Sequence, residues 1–262
     1  ATTVIGAPAN QMIYLSAYNE VWALSGGTGE VYRINPSTQT VIGLPLTIPA
    51  SVASLSYVTA TDEVWVLSQA PDEINRIDRA TFAIVGAPIP VADIPFYIFY
   101  SNSGGDIWVG CENTTYVINV ATFATITSFS NAFQFGRGII ENAGIIYISD
   151  SAADLVRTYD SSSYTALSTY LCGDQPWYML FAKGTLLIGN AADDSITPYT
   201  LNCNDSLPPF TMVNRNILFN WTLQFDFFDN EEFYTFQQKI ERPSPSRLAD
   251  FVNDFVDIDV EE

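Results

Sequence analysis

An aromatic residue set in a short apolar run returns along this chain at a spacing near 40 residues, and a period of that length confines the chain to a small menu of repeat architectures. Glu20-Val-Trp-Ala-Leu24 reappears as Glu63-Val-Trp-Val-Leu67, as Asp106-Ile-Trp-Val-Gly110, as Ile145-Ile-Tyr-Ile-Ser149 and, more faintly, as Thr185-Leu-Leu-Ile-Gly189. The central residues Trp22, Trp65, Trp108, Tyr147 and Leu187 stand 43, 43, 39 and 40 positions apart. A second series keeps the same phase: Asn35-Pro-Ser-Thr38, Asp78-Arg-Ala-Thr81, Asn119-Val-Ala-Thr122 and Asp160-Ser-Ser-Ser163, at intervals of 43, 41 and 41.

Each period divides into four short strands. In the second unit these are Ser54 to Tyr57, Glu63 to Leu67, Glu73 to Asp78 and Ala83 to Pro88, separated by turn-forming residues. The Asn or Asp that opens each four-residue turn can bend its side chain onto the backbone amide two residues on, which makes a tight hairpin between the third and fourth strands. Second strands such as Val64 to Leu67 are apolar without alternation, the pattern of a strand covered on both faces. Four-stranded sheets stacked radially on copies of themselves form a β-propeller, so the expected class is all-β with five blades.

The ends of the repeat region bear on closure. Thr3-Val-Ile-Gly-Ala-Pro8 matches the fourth strands Thr40 to Pro45 and Ala83 to Pro88, whereas the fifth unit has three strands, Trp177 to Ala182, Thr185 to Gly189 and Ser195 to Leu201. The N-terminal strand is therefore expected to complete blade five, closing the ring and removing two exposed sheet edges.

The segment Ile146-Tyr-Ile-Ser-Asp-Ser-Ala-Ala-Asp-Leu-Val-Arg-Thr-Tyr-Asp160 resembles the repeat of the Tyr-Val-Thr-Asn (YVTN) type of propeller, and the likeness extends from residue 1 to about 201. The resemblance implies the fold and leaves the activity open, because propellers host enzymes, ligand sensors and scaffolds. Five blades depart from the six to eight more common in that family.

The expected domains are a propeller over 1–205 and an attachment arm over 206–262. Residues 220 to 227 alternate strictly, placing Trp221, Leu223, Phe225 and Phe227 on one face of a hairpin spanning about 217–241. Farther on, Leu248, Phe251, Val252, Phe255 and Val256 fall at helical spacing with acidic and amide residues opposite, an amphipathic helix over about 246–257 with Ser246 as its N-cap. These nine residues are the candidate partner-docking set. An isolated hairpin is marginal in water, so its aromatic face needs the propeller or another chain to cover it.

Composition narrows the partners. The 262 residues carry 29 Asp and Glu against 10 Lys and Arg, a net charge of −19, which disfavours nucleic acid and anionic membrane because both are polyanions. No stretch resembles a membrane span or a signal peptide. Three cysteines are too few for a disulfide scaffold; three free thiols are expected, with Cys172–Cys203 the one alternative pairing.

The chain has no histidine, which removes Ser-His-Asp and Cys-His arrangements and imidazole acid–base chemistry. Propeller lyases lean on His, whereas five-bladed glycosidases set paired carboxylates around the central channel, where the first strand of each blade lies. Among the expected first strands, Gln11 to Ala17, Val52 to Val58, Ile94 to Tyr100, Phe135 to Glu141 and Trp177 to Ala182, only Glu141 is acidic. Asp150 with Asp154, or Asp193 with Asp194, offers oxygens to Ca²⁺ but lacks the spacing of an EF-hand loop and stands where other repeats carry a turn. No catalytic residue, metal or cofactor is therefore expected.

Two classes of function remain. The first is a non-enzymatic structural or binding module: a propeller displayed on or docked into a larger assembly, a virion or phage tail or fibre component serving host-surface adhesion, with residues 210–262 holding a protein partner. The expected location is a virion or extracellular surface, with the cytoplasm the alternative. The second is a propeller hydrolase or lyase acting on a saccharide or other small ligand, for which Tyr97, Tyr100, Trp177 and Tyr178 are the candidate stacking residues and a glycan the partner.

Overall fold

The computed structural model describes residues 9–48, 51–91, 93–130, 138–182 and 184–200, and these form a five-bladed, all-β propeller of antiparallel sheets. Blade 1 comprises Gln11–Leu15, Glu20–Ser25, Glu30–Asn35 and a split fourth strand, Thr40–Val41 with Leu46–Thr47. Blade 2 repeats that plan with Val52–Val58, Glu63–Gln69, Asp72–Asp78 and Ala83–Ile84 with Ile89–Pro90. Blade 3 is Pro95–Tyr100, Asp106–Cys111, Thr114–Asn119 and Thr125–Ser130; blade 4 is Ile139–Asn142, Ile145–Asp150, Leu155–Asp160 and Ala166–Leu171. Blade 5 has Pro176–Ala182, Thr185–Asn190 and Ser195–Thr200 among the described residues. The N-terminal closing strand, the hairpin, the helix and all nine docking residues named above lie outside the described residues.

The second strands lie where their unbroken apolar runs predict. Alternate side chains of one strand enter two different cores: Val64 and Val66 pack toward blade 1, Trp65 and Leu67 toward blade 3, and all four are fully buried. Burial on both faces is what removes the period-two alternation. Corresponding cores join blades 3 and 4 around Trp108, Ile146 and Tyr159, and blades 4 and 5 around Tyr147, Leu186 and Ile188. The five repeat anchors share one register: Trp22 pairs with Arg33, Trp65 with Arg76, Trp108 with Val117, Tyr147 with Thr158 and Leu187 with Pro198.

One expectation needs correction. The fourth strand of blade 2 is not continuous from Ala83 to Pro88, nor is that of blade 1 from Thr40 to Pro45. In each blade the strand pairs for two residues, leaves the sheet at a glycine of positive φ (Gly43 at 73°, Gly86 at 67°) and returns beyond a proline to the same third strand. Glycine adopts that conformation without a Cβ clash, and Pro45 and Pro88 have no N–H for the ladder. Blades 3 and 4 lack this Gly-x-Pro insertion, and their fourth strands run unbroken for six residues.

The hairpin turns between third and fourth strands follow the sequence. Asn35 Oδ1 accepts from the backbone N–H of Ser37 (2.9 Å) and Thr38 (3.1 Å), Asn119 Oδ1 from Ala121 (3.0 Å) and Thr122 (2.9 Å), and Asp160 Oδ1 from Ser162 (3.0 Å) and Ser163 (2.7 Å). The residue after each turn, Gln39, Phe82, Phe123 or Tyr164, then takes a positive φ of 54° to 61°.

The first strands of successive blades lie side by side around the axis. They form no ladder with one another among the described residues, and polar side chains bridge them. Gln11 Oε1 accepts from Leu55 N (2.8 Å), Ser54 Oγ from Ile98 N (3.3 Å) and Ser56 Oγ from Tyr100 N (3.0 Å). Each such bond satisfies a backbone donor and contributes about 1 kcal/mol.

Candidate interaction surface

Glu141, the acidic residue expected on the axis, is committed to structure. It lies on the first strand of blade 4, and its carboxylate accepts from the backbone N–H of Asn102 (2.9 Å) and Ser103 (3.2 Å) in the turn between the first two strands of blade 3. A carboxylate holding two amides orders the neighbouring loop and has no second carboxylate beside it on the described first strands.

The aromatic candidates separate by burial. Tyr100 is only 6% exposed and packs in the core between blades 2 and 3 with Val58, Trp65 and Ile107, so it presents no face to a ligand and its stacking role is withdrawn. Tyr97 lies against the core between blades 3 and 4, where burial, with a smaller contribution from Tyr178, pushes its phenol up to about 12. Trp177 and Tyr178 remain together on the first strand of blade 5, their rings 6.4 Å apart and nearly perpendicular, and Tyr178 is 58% exposed.

The aspartates considered for Ca²⁺ serve turns. Asp150 accepts from Ala153 N (3.2 Å) and Arg157 Nε (2.8 Å), Asp154 from Gln175 N (3.0 Å), and Asp193 from Ser195 Oγ (2.7 Å) and Asp174 N (3.2 Å). Through Asp154 and Asp193, blades 4 and 5 both grip the connection over residues 172–175. Cys111 and Cys172 are free thiols, and burial pushes each up to about 12.

A cluster that sequence reading did not single out lies where the turns of blades 1 and 2 meet. Arg79, inside the Asp78-Arg-Ala-Thr81 turn, donates to both oxygens of Asp62 (Nε to Oδ1 2.6 Å, second nitrogen to Oδ2 2.9 Å). Its guanidinium lies 3.4 Å from the ring centre of Tyr18, a stacked cation–π contact. Tyr57 donates to Asp62 Oδ1 (2.7 Å), its oxygen lies 3.3 Å from that of Tyr18, and the two rings meet edge to face. Arg79 holds the Asp62 carboxyl below its ordinary range, while burial, Tyr18 and Asp62 raise the Tyr57 phenol. Nearby, the Tyr14 hydroxyl donates to Asn19 Oδ1 (3.2 Å) and Asn19 Nδ2 to Ser37 Oγ (2.8 Å). Tyr14 and Tyr18 keep 44% and 40% of their surface exposed. The product is an aromatic ridge with rings fixed from behind, a surface able to bind with little loss of side-chain entropy. Its members come from six separate turns and strands, and only the apposition of two blades brings them together.

No family model and no curated protein matches the sequence. Among solved structures, the chain is similar to virginiamycin B lyase from Staphylococcus aureus (TM-score 0.60, 14% identity, 74% of this chain and 67% of that one). It is similar also to the Pan2 WD40 domain of Neurospora crassa (TM-score 0.57, 15% identity, 74% and 62%) and to a chain of the Mitotic Checkpoint Complex (TM-score 0.65, 10% identity, 76% and 62%). The chain thus spans less than two thirds of the length of the latter two. Likeness at such low identity speaks for the fold alone, and the fold is a five-bladed β-propeller.

Proposed function

We propose that this chain is a non-enzymatic binding module, a propeller of the Tyr-Val-Thr-Asn repeat type that presents its turns to a protein partner. In this reading it is held in a larger assembly through residues 210–262, at a virion or other extracellular surface. The observation that carries the reading is the placement of Glu141. The one carboxylate on the described axial strands is bound to two backbone amides, so those strands offer no carboxylate pair of the kind propeller-type acid–base hydrolysis uses. The fixed Tyr14–Tyr18 ridge supports binding from the other side. The test is size-exclusion chromatography of native particles followed by crosslinking through carboxylates, the abundant reactive group on a chain of 29 Asp and Glu. Co-elution with a larger species and crosslinks to a second protein are expected; recovery only as a free monomer overturns the proposal.

The exposed ring of Tyr178 beside the half-buried Trp177 favours a second reading, a saccharide ligand at the axial end of blade 5. A glycan array separates the two: binding without product places the glycan on an adhesive surface, product formation restores the hydrolase or lyase, and a silent array removes the saccharide.

A further inference from the structure

The outer rim of the propeller is not uniform, and the difference lies in how the sheet edges are protected. In blades 1 and 2 the fourth strand is cut into two-residue pieces by Gly43 and Gly86, a device that leaves no edge long enough to recruit another strand. Blade 4 carries no such protection. Its edge, Ala166-Leu-Ser-Thr-Tyr-Leu171, is six residues long, has no charge, proline or glycine, and pairs on its inner side only among the described residues.

The hydrogen bonds show which way its peptide groups face. Ser168 N donates to Thr158 Oγ1 (2.9 Å), Ser168 O accepts from the same hydroxyl (3.0 Å), and Cys172 N donates to Asp154 O (3.0 Å), so from Ser168 to Cys172 the even-numbered residues turn inward; the register shifts between Arg157 and Tyr159, and beyond that bulge Thr165 O accepts from Asp160 N (2.9 Å). Alternation within that stretch therefore points the N–H and C=O of Thr169 and Leu171 outward. Thr169 and Leu171 share one face, opposite to Tyr170, whose ring packs on Tyr147 and Tyr199. Leu167 and Leu171 are 49% and 70% exposed. The outward peptide groups of Thr169 and Leu171 thus stand in register along one edge, with the exposed side chain of Leu167 at the bulge beside them.

Charge selects the occupant. Asp160 lies in the turn at one end of the strand; Asp154, Asp174 and Asp193 gather at the other, and Arg157 on the adjacent strand is already paired with Asp150 at 2.8 Å. A second copy would bring a further net charge of −19 to an acidic surface. We infer that the outer edge of blade 4 binds an extended peptide by strand addition, with an uncharged core of alternating β-branched residues and Lys or Arg at both ends. The peptide backbone pairs with Thr169 and Leu171, its apolar side chains cover Leu171 and the neighbouring Leu167, and its basic ends meet the flanking aspartates.

This inference rests on the binding-module reading and names one surface within it. The test uses the full chain and a labelled peptide, Lys-Lys-Thr-Val-Thr-Val-Thr-Val-Lys-Lys, followed by fluorescence anisotropy at low salt. Thr169→Pro removes only an outward donor, a substitution that edge strands tolerate, and should weaken binding by about tenfold or more, whereas Thr169→Val should leave it unchanged. Replacing the four Lys of the peptide by Glu should also abolish binding. Independently of any variant, hydrogen exchange should slow at the amides of Thr169 and Leu171 on adding the peptide and stay unchanged at Ser168 and Tyr170. Failure of the parent chain to bind, equal binding by Thr169→Pro, or dimerisation through this edge in sedimentation overturns the inference. Retention of Thr169→Pro in the native assembly while it loses the peptide confirms the edge as a site separate from the assembly contact; loss of assembly with peptide binding intact overturns the broader reading and leaves the edge site standing.

Discussion

The indole of Trp22 in blade 1 and the ring of Phe82 in the turn of blade 2 meet edge to face, their centres 5.2 Å apart at 74°. A tilted form of this contact recurs one blade on, between Trp65 and Phe123 (5.9 Å, 59°), and again between Trp108 and Tyr164 (6.1 Å, 55°). Each of the three tryptophan anchors is thus capped by the positive-φ residue of the next blade's hairpin. In blades 1 and 2 the contact is backed by charge: Glu20 accepts from Trp22 Nε1 (3.1 Å) and pairs with Arg33 (2.8 Å), and Glu63 accepts from Trp65 Nε1 (2.8 Å) and pairs with Arg76 (3.5 Å). Arg33 lies over Phe82 and Arg76 over Phe123, so both ring contacts are reinforced by a cation.

Phe82 serves two opposed requirements, since its ring locks the blades while its backbone at φ 54° disfavours a side chain. Phe82→Ala should lower unfolding stability by about 2 kcal/mol through loss of the ring. Phe82→Gly loses the same ring but relieves the backbone, and is expected to be more stable than Phe82→Ala by about 0.5–1 kcal/mol, read from urea denaturation of the two variants.

Blade 3 carries the lock in a different form. Asp106 is one methylene shorter than Glu63, is reached by the Tyr164 hydroxyl from blade 4, and leaves the buried Trp108 Nε1 without a hydrogen-bond partner. Trp65→Phe breaks a buried bond to a carboxylate, and Trp108→Phe breaks none. The first should therefore cost about 1–2 kcal/mol more than the second, measured by chemical denaturation under the same conditions.

Glu141 separates the functional readings. Glu141→Gln keeps one acceptor for Asn102 or Ser103 and turns an amide toward the other, so a stability loss of about 1–2 kcal/mol is expected. A binding module keeps its partner affinity in this variant, measured by titration calorimetry at a temperature where the protein is folded. A hydrolase with Glu141 as its acid would lose turnover altogether.

The turn aspartates predict the acid limb of the stability curve. Backbone and hydroxyl donors of Ser163 and Ser162 lower the Asp160 carboxyl to about 2, and the donors of Thr81 lower that of Asp78. A folded value below the unfolded one, about 3.9, means stability fully present above that value and lost as pH falls toward about 2. Asp160→Asn should keep the hairpin at neutral pH, because Asn35 and Asn119 fill the same role in blades 1 and 3, and should flatten its part of the acid loss. Thermal melts between pH 5 and pH 2 check both statements.

Much of this architecture was legible in the chain itself. The phase of the tryptophan anchors predicted five blades, the unbroken apolar runs predicted strands covered on both faces, and the Asn and Asp turn residues bond as their chemistry requires, because each of these depends on residues within a few positions of one another. The splitting of two fourth strands was also written locally, in Gly43 with Pro45 and Gly86 with Pro88, a signal masked by the apolar residues around it. What only the tertiary structure decided are the partners across blades. Glu141 meets the amides of residues 102 and 103, Arg79 meets Tyr18 and Asp62, and Tyr100 is enclosed while Tyr178 is left open. Such contacts join residues tens of positions apart, and hydrophobic period and turn chemistry, which act over a single strand or hairpin, carry no information about which side chains two stacked sheets bring face to face.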